Sequence, residues 1–209
     1  MFTLYSDRFW ISPWVFTCFV ALTEKGLPFT VTDLALDKYE ARTPQYRKRT
    51  LTGKVPALDH DGFVLGESHA IVEYLEELAP ELPVLPSDRQ QRARARQLMG
   101  FLRTDLHALR NERSSESIFY RQSLPPLSAA AQADAQKLAE VAADLLPEGA
   151  TSLFGAWTIA DSELAFCLQR LAANGEAIPA PLQAFVDAQW ARPSVQAYAT
   201  HPRPPYVKY

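Results

Sequence analysis

The sequence is poor in cysteine and in net charge, and each shortage excludes a class of protein. The 209 residues include two cysteines, Cys18 and Cys167, and no Cys-x-x-Cys pair. A disulfide scaffold and a redox dithiol are therefore not predicted, and the apolar helical surroundings of both residues favour small buried side chains. A formal net charge of -3 provides no general attraction to nucleic acid or to an anionic membrane.

Long apolar runs and clustered histidines are missing as well. No stretch approaches the roughly 18 apolar residues that suit a membrane-spanning helix, and the amino terminus lacks the basic and apolar regions of a signal peptide. We therefore expect a cytoplasmic protein that makes no membrane contact. The histidines are dispersed without the spacing of metal ligands, so we expect no metal site.

The first 79 residues alternate between strand and helix patterns. The predicted strands are residues 2–6, 29–36, 55–58 and 63–65, and the predicted helices are 13–25 and 68–78. An irregular, basic connection separates the second strand from the third. The order strand, helix, strand, strand, strand, helix indicates a small α/β domain of the thioredoxin kind.

Three prolines crowd into residues 80–86 and predict a linker. From residue 87 to residue 209 the apolar side chains recur at helical spacing, which predicts an all-α domain. Helices are expected to begin near Ser87, Ser128 and Thr158, and to include residues 181–190 and 193–200. Thr158-Ile159-Ala160-Asp161 has the form of a capping box, whereas the proline-rich tail 201–209 cannot be helical.

Two dipeptides in the first domain predict a binding site for a short peptide. Proline lacks the N–H of a central strand, so Val55-Pro56 suggests a kinked strand edge, with a cis bond as one option. The Val55 backbone is then free to pair with an extended ligand. Ser68 opens a helix whose first N–H groups and dipole favour a carboxylate, and Glu67 beside it suits an amine.

Four segments in sequence resemble the glutathione transferase superfamily, and more narrowly its bacterial YfcF-type enzymes. They are Ser12-Pro13, Gly53-Lys54-Val55-Pro56, Glu67-Ser68 and Phe154-Gly155-Ala156-Trp157-Thr158-Ile159-Ala160-Asp161. The resemblance covers nearly the whole chain and implies the glutathione transferase fold. An α/β thioredoxin-like amino-terminal domain (1–79) is then joined by the linker (80–86) to an all-α carboxyl-terminal domain (87–209). The chain departs from the pattern at Thr50-Leu51, where many members carry Asn-Pro.

The resemblance implies that glutathione is the cosubstrate and that no metal takes part. Val55 would pair with the cysteinyl backbone, and Lys54 would meet the glycine carboxylate. Glu67 and Ser68 would hold the γ-glutamyl ammonium and carboxylate. Ser12 would donate its hydroxyl proton to the thiolate of a transferase that conjugates electrophiles or reduces organic hydroperoxides. A symmetric homodimer is expected, as is common among such relatives.

The electrophile is expected to be a small apolar molecule or a hydroperoxide, held in a cleft between the domains. The predicted lining residues are Phe9, Trp10, Trp14, Arg103, Arg110, Phe119 and Tyr120. A simpler interpretation of Arg110 is a surface cation that stabilises the end of a helix.

Several alternatives stay open. Ser12 has a simpler interpretation as an N-cap, although a hydroxyl can accept one hydrogen bond while donating another. Tyr5, within the first strand, and Ser6 are alternative hydroxyl donors. A non-catalytic protein-interaction module of the stringent starvation protein type is the main alternative function. A glutaredoxin-like thiol transferase would need a cysteine near position 12.

Overall fold

The computed structural model describes residues 1–120 and 123–208, and its contacts divide the chain into two compact units. The first unit contains Met1–Val84 and Gln196–Tyr209, and the second contains Leu85–Val195. The expected helical domain, 87–209, differs from this division because the end of the chain belongs with the first unit. Tyr209, the last residue of the predicted tail, lies outside the described residues.

The first unit is built on a four-stranded sheet. Its strands are β1 Phe2–Asp7, β2 Phe29–Leu34, β3 Ala57–His60 and β4 Phe63–Gly66, and its helices are α1 Pro13–Glu24, α2 Pro44–Thr50 and α3 Ser68–Leu78. The strand order is β2-β1-β3-β4: β2 pairs parallel with β1, and the other two pairings are antiparallel. This topology confirms the predicted thioredoxin-like fold.

Alternation along the strands gives the sheet two buried faces. Leu4 and Leu58 are directly opposite each other on β1 and β3 and are buried, and helices α1 and α3 pack against each other and against these strands. The next pair, Tyr5 and Ala57, points to the other face because successive side chains alternate. There Ala57 packs with Tyr46 of α2.

Helix α2 was not predicted, since its region was expected to be irregular. The Thr43 side chain caps the helix by accepting a hydrogen bond from the Tyr46 N–H at 3.4 Å, and Pro44 occupies the first turn. The helix has 7 residues, which is too short for an apolar repeat to show. The available signal was the Thr-Pro pair, a typical helix start.

The second unit is helical, as predicted. Its helices are α4 Arg89–Thr104, α5 His107–Glu112, α6 Glu116–Phe119, α7 Ala129–Leu145, α8 Ile159–Ala172, α9 Ala180–Trp190 and α10 Pro193–Ala199, within which the division between the units falls. Helix α8 is buried along most of its length and contacts α4, α7 and α9. No helix in the described part of the chain is long and apolar enough to cross a membrane.

The long helix expected from Ser87 begins two residues later and ends before Leu106. Asp88, rather than Ser87, is the N-cap, and its carboxylate accepts the N–H groups of Gln90 and Gln91. Leu106 has a left-handed backbone with φ 61°, which interrupts the apolar repeat without a proline or glycine to announce the break.

Asp161 anchors the start of α8. Its buried carboxylate accepts hydrogen bonds from the Leu153 N–H at 2.7 Å, the Thr158 N–H at 2.7 Å and the Thr158 hydroxyl at 2.8 Å. Burial raises the pKa of Asp161, and these donors oppose the rise. The predicted capping box is confirmed, and the same carboxylate also fastens the preceding loop at Leu153.

Replacing Asp161 with Ala is predicted to destabilise the protein because three buried donors would lose their acceptor. The expected cost is about 2 kcal/mol or more, which for a chain of this size lowers the thermal midpoint by about 4 to 8 °C or more. Asp144→Ala, which removes an exposed carboxylate from α7, is the matched control and should change the midpoint little. Equal midpoints for the two variants in thermal denaturation would refute this role of Asp161.

Candidate functional site

Three predicted segments meet at one end of the sheet. Tyr5 of β1 is opposite Ala57 of β3, and Ala57 is opposite Gly66 of β4. Because β3 runs antiparallel to both neighbours, the carboxyl ends of β1 and β4 lie beside its amino end. Adjacent strands are about 4.8 Å apart, so the loop after β1, Val55-Pro56 and Glu67-Ser68 are close in space.

The Val55-Pro56 peptide bond is cis, which was one of the options predicted. Val55 is half-buried and precedes the ladder of β3, which begins at Ala57 rather than at residue 55. Its backbone therefore lies at the end of the sheet outside the described strand pairing. Lys54 is exposed, and its carbonyl accepts the Tyr46 hydroxyl at 2.9 Å. Burial raises the pKa of Tyr46, which keeps this hydroxyl a donor.

The loop that leads to Lys54 requires a glycine. Gly53 has φ +64°, and a Cβ there would lie 2.8 Å from the Arg47 Cγ and 3.0 Å from the Ala41 carbonyl oxygen. Its N–H donates to the Thr50 hydroxyl at 3.2 Å. The Thr50-Leu51 departure from the family pattern thus supplies a side-chain acceptor that helps to close the loop.

Glu67 adopts an unusual backbone at the start of α3. Its φ is 65° and its ψ is 111°, and it occupies the N-cap position without a side-chain cap bond. A positive φ is uncommon for a residue other than glycine, and such conformations cluster at binding sites. The Glu67 side chain is exposed, whereas Ser68 is 6% exposed. A ligand here would meet a carboxylate, a hydroxyl and the first N–H groups of α3.

The loop between β1 and α1 is organised by Asp7, the last residue of the strand. The Asp7 carboxylate accepts N–H hydrogen bonds from Phe9 at 3.1 Å, Ile11 at 3.2 Å and Ser12 at 3.1 Å. Burial raises the pKa of Asp7, and these three N–H groups lower it by a smaller amount. The loop backbone therefore wraps closely around one carboxylate.

Ser12 ends this loop and begins α1. Its Oγ accepts a hydrogen bond from the Val15 N–H at 3.3 Å, which confirms the predicted N-cap. The residue is half-buried, and within residues 1–120 and 123–208 its hydroxyl proton has no acceptor. Ser12 thus presents a hydroxyl donor at the positive end of a helix of 12 residues, where an anion is stabilised.

The alternative hydroxyl donors have other partners. Tyr5 accepts a hydrogen bond from Arg49 at 3.3 Å and packs edge-on against Tyr46. Ser6 is fully buried and donates its hydroxyl proton to the Asp7 carbonyl at 3.0 Å. Neither hydroxyl caps a helix, so both are weaker candidates than Ser12.

Phe9 and Trp10, predicted to line the electrophile site, are buried under the end of the chain. Phe9 is 0% exposed and packs edge-on against Tyr206, and Trp10 is 3% exposed and stacks on His201 with 3.5 Å between ring centroids. Their rings offer little surface to a ligand in this arrangement. Trp14, in the first turn of α1, is half-buried.

The predicted lining residues of the second unit lie near α8. Arg103 donates to the buried carboxylate of Glu163 at 2.7 Å, and Arg110 donates to the Arg103 carbonyl. The Phe119 ring is 6.0 Å from that of Phe166, and Tyr120 follows it as a half-buried residue. The structure therefore brings the two arginines together. The electrophile site itself stays a prediction.

Asp7, Tyr198 and Arg203 were not predicted to take part. Tyr198 donates its hydroxyl proton to the Ser12 carbonyl at 3.1 Å, and Arg203 donates to the Trp10 carbonyl at 3.1 Å and 3.3 Å. Asp7 had a local signal, because an acid directly after an apolar strand can accept the N–H groups of the following turn. Tyr198 and Arg203 are distant in sequence from Ser12 and Trp10, and no local sequence pattern predicts their contacts.

Comparisons with known proteins agree with this architecture. The family model described as "Glutathione S-transferase, N-terminal domain" matches residues 11–78. The model described as "Glutathione S-transferase, C-terminal domain" matches residues 88–202, more than half of the chain. The chain therefore belongs to the glutathione S-transferase family, as the sequence motifs indicated.

Similar solved structures cover nearly the whole chain. A glutathione transferase homologue from Burkholderia GL BGR1, crystallised with bound glutathione, is 38% identical with a TM-score of 0.75, over 94% of this chain and 95% of that one. A maleylpyruvate isomerase described as a bacterial zeta-class glutathione S-transferase is 26% identical with a TM-score of 0.74, over 94% and 96%.

Among curated relatives, maleylacetoacetate isomerase of Dictyostelium discoideum is 36% identical over 110 residues, 52% of this chain and 49% of that protein. Glutathione S-transferase 1 of Dianthus caryophyllus is 40% identical over 92 residues, 44% and 42% of the two chains. The chain thus spans about half the length of the curated relatives that it matches.

Proposed function

We propose that this protein binds glutathione at the end of its sheet and activates the thiol with Ser12 for attack on an electrophile or an organic hydroperoxide. The observation that best supports this proposal is the hydrogen bonding of the Ser12 hydroxyl. It accepts the Val15 N–H at the start of α1, and its own proton is available for donation to a ligand. The nearby Val55 and Glu67 segments provide a place for the rest of the peptide.

Each part of glutathione has a proposed partner of suitable chemistry. The cysteinyl backbone pairs with Val55 as an added strand, and the exposed Lys54 meets the glycine carboxylate. The γ-glutamyl carboxylate accepts from the Ser68 hydroxyl and the first N–H groups of α3. The γ-glutamyl ammonium pairs with the Glu67 carboxylate.

Ionisation of the thiol explains only part of the expected rate enhancement. A free thiol with a pKa of about 8.5 is a few per cent ionised at neutral pH, and lowering the pKa by about two units makes thiolate the major species. With a Brønsted slope of about 0.4 to 0.5, the same change reduces intrinsic nucleophilicity roughly six- to tenfold. Most of the acceleration must therefore come from holding the electrophile beside the sulfur.

The electrophile is proposed to be small and largely apolar. Phe9 and Trp10 are too buried to select it, which leaves Trp14, Arg103, Arg110, Phe119 and Tyr120 as the proposed selecting residues. A substrate screen should include conjugated carboxylic acids. Two arginines are brought together in the second unit, and similar proteins are named as isomerases of maleyl compounds. Hydroperoxides belong there too, since the same thiolate can attack a peroxide oxygen.

The main alternative is a non-catalytic module that keeps the fold for contacts with other proteins. The presence of Ser12, Val55-Pro56 and Glu67-Ser68 in one chain argues against such a module, whereas the Ser12 cap alone would stabilise either kind of protein. Turnover of an electrophile or hydroperoxide at a rate above that of glutathione alone would exclude this alternative.

A homodimer is part of the proposal, and Leu51 is the residue through which it can be tested. Leu51 is 92% exposed and holds its side chain out on a backbone with φ 56°. Covering a leucine side chain stabilises an interface by about 1.5 to 3 kcal/mol. Light scattering at micromolar concentration should return twice the chain mass for the wild type and a lower mass for Leu51→Asp. A wild-type mass of one chain would contradict the dimer.

Replacing Glu67 with Ala should weaken glutathione binding, because the ligand ammonium would lose its charged partner. The expected loss is about 2 to 3 kcal/mol, or roughly a 30- to 150-fold higher Kd in calorimetric titration. Glu77→Ala, which removes an exposed carboxylate from the other end of α3, should leave the Kd unchanged. An unchanged Kd in Glu67→Ala would remove this residue from the proposed site.

Replacing Ser12 with Ala should raise the pKa of the bound thiol while leaving glutathione affinity nearly unchanged. A lost hydrogen bond to a charged group is worth about 1.5 to 3 kcal/mol, which corresponds to roughly one to two pKa units. Turnover at neutral pH should fall a few-fold, because the lower thiolate fraction is partly offset by the greater nucleophilicity of a more basic thiolate, and higher pH should restore part of it. Ultraviolet titration of the bound thiolate gives the pKa directly.

The Ser12 variant also loses an N-cap worth about 1 kcal/mol, so it needs a control for stability. Thr43→Ala removes the corresponding cap of α2 in the same unit and should keep the wild-type thiol pKa. If a folded Ser12→Ala protein kept both the wild-type thiol pKa and turnover, Ser12 would be excluded as the activating residue.

A further inference from the structure

All four backbone N–H groups from Phe9 to Ser12 donate to one residue. Three of them reach the Asp7 carboxylate, and the fourth, from Trp10, reaches the Asp7 carbonyl at 3.1 Å. The next residue, Pro13, has no backbone N–H and needs no acceptor. Asp7 is 1% exposed, so this carboxylate contacts the loop and does not reach a ligand.

The carbonyl side of Ser12 is held by the end of the chain. Tyr198 donates its hydroxyl proton to the Ser12 carbonyl at 3.1 Å. The Tyr198 ring is 0% exposed and packs against the rings of Phe16 and Phe19 at 5.3 Å and 5.6 Å. A ring fixed by such neighbours holds its hydroxyl in a defined position.

Ser12 is thus fixed on both sides of its Cα. Its N–H is held by Asp7, and its carbonyl is held by Tyr198 and by the Phe16 N–H at 3.0 Å. The Oγ is two bonds from the Cα, so its position follows from the backbone and one torsion angle. A small rotation of the loop would move the hydroxyl away from the helix start.

We propose that Asp7, together with Tyr198, is a positioning residue that holds the Ser12 hydroxyl where it stabilises a bound thiolate. This inference rests on the proposed function, because it assigns these two residues a task that exists only if Ser12 donates to the sulfur. Neither residue touches the substrate, and both act through the Ser12 backbone.

The direction in which the bound-thiol pKa changes when Asp7 is replaced distinguishes a positioning role from a simple charge effect. An ionised Asp7 near the sulfur would repel the thiolate, so removing its charge alone would lower the thiol pKa. Loss of positioning would raise it. Asp7→Asn preserves the shape of the side chain but replaces one acceptor oxygen with an NH₂ group, which cannot accept an N–H hydrogen bond.

The test is ultraviolet titration of glutathione bound to Asp7→Asn, with Kd and kcat measured alongside. We expect the bound-thiol pKa to rise by about one unit, kcat at neutral pH to fall a few-fold, and the Kd for glutathione to change less than threefold. Raising the pH should restore part of kcat. A bound-thiol pKa that is unchanged or lower would overturn the inference.

A double variant shows whether Asp7 acts through Ser12. In a Ser12→Ala background the hydroxyl is already gone, so Asp7→Asn should add no further rise in the thiol pKa. An additive rise in the double variant would contradict the proposal. Failure of Ser12→Ala itself to raise the pKa would overturn the proposed function, whereas a shift in Ser12→Ala without one in folded Asp7→Asn would overturn only the positioning role.

Two further variants guard against a trivial loss of stability. Asp161→Asn alters a similarly buried carboxylate that accepts backbone N–H groups in the second unit, so it should lower the thermal midpoint and leave the thiol pKa unchanged. Tyr198→Phe keeps the packed ring and removes one hydrogen bond. If Asp7→Asn does not fold, Tyr198→Phe must still raise the bound-thiol pKa, and its failure to do so would overturn the proposal.

Discussion

The candidate site depends on the buried carboxylate of Asp7. A carboxylate removed from water is costly unless hydrogen-bond donors surround it, and here the donors are the N–H groups of Phe9, Ile11 and Ser12. The same hydrogen bonds that offset the cost of burying the carboxylate therefore determine the path of the loop. The effect of burial on the pKa of Asp7 exceeds that of the hydrogen bonds, so the pKa is raised. Asp161 uses a similar arrangement to start α8, so each unit contains a buried carboxylate that fixes a helix start.

The sheet topology places three segments of the candidate site, which are separate in sequence, at one end of the sheet. Because β3 runs antiparallel to β1 and β4, the loop before Ser12, the Val55-Pro56 bond and the Glu67-Ser68 dipeptide reach the same end of the sheet. Two helix starts, those of α1 and α3, follow two of these segments. Backbone groups and helix dipoles therefore provide much of the proposed recognition. In the proposed complex a few side chains, Ser12 and Glu67 above all, add chemistry to a peptide site shaped by the backbone.

The sequence was sufficient for features that depend on neighbours along the chain. The strand and helix patterns of the first unit, the Ser12 cap and the capping box at Thr158 are local, and the structure confirms them. Helix α2 was missed because a short basic helix shows no apolar period. The supporting contacts of Tyr198 and Arg203 were missed for another reason: each joins residues more than 180 positions apart. No spacing rule predicts such a pair, so the end of the chain was assigned to the helical domain.

A crystal structure of this protein with glutathione would show directly whether Ser12 activates the thiol. The ligand sulfur should lie within hydrogen-bond distance of the Ser12 Oγ, roughly 3.0 to 3.5 Å, with the cysteinyl backbone paired to Val55 and the γ-glutamyl group at Glu67 and Ser68. The Asp7 hydrogen bonds to the loop should be unchanged in the complex. A sulfur placed beside Tyr5, or a glutathione bound away from the end of the sheet, would exclude Ser12 as the activating residue.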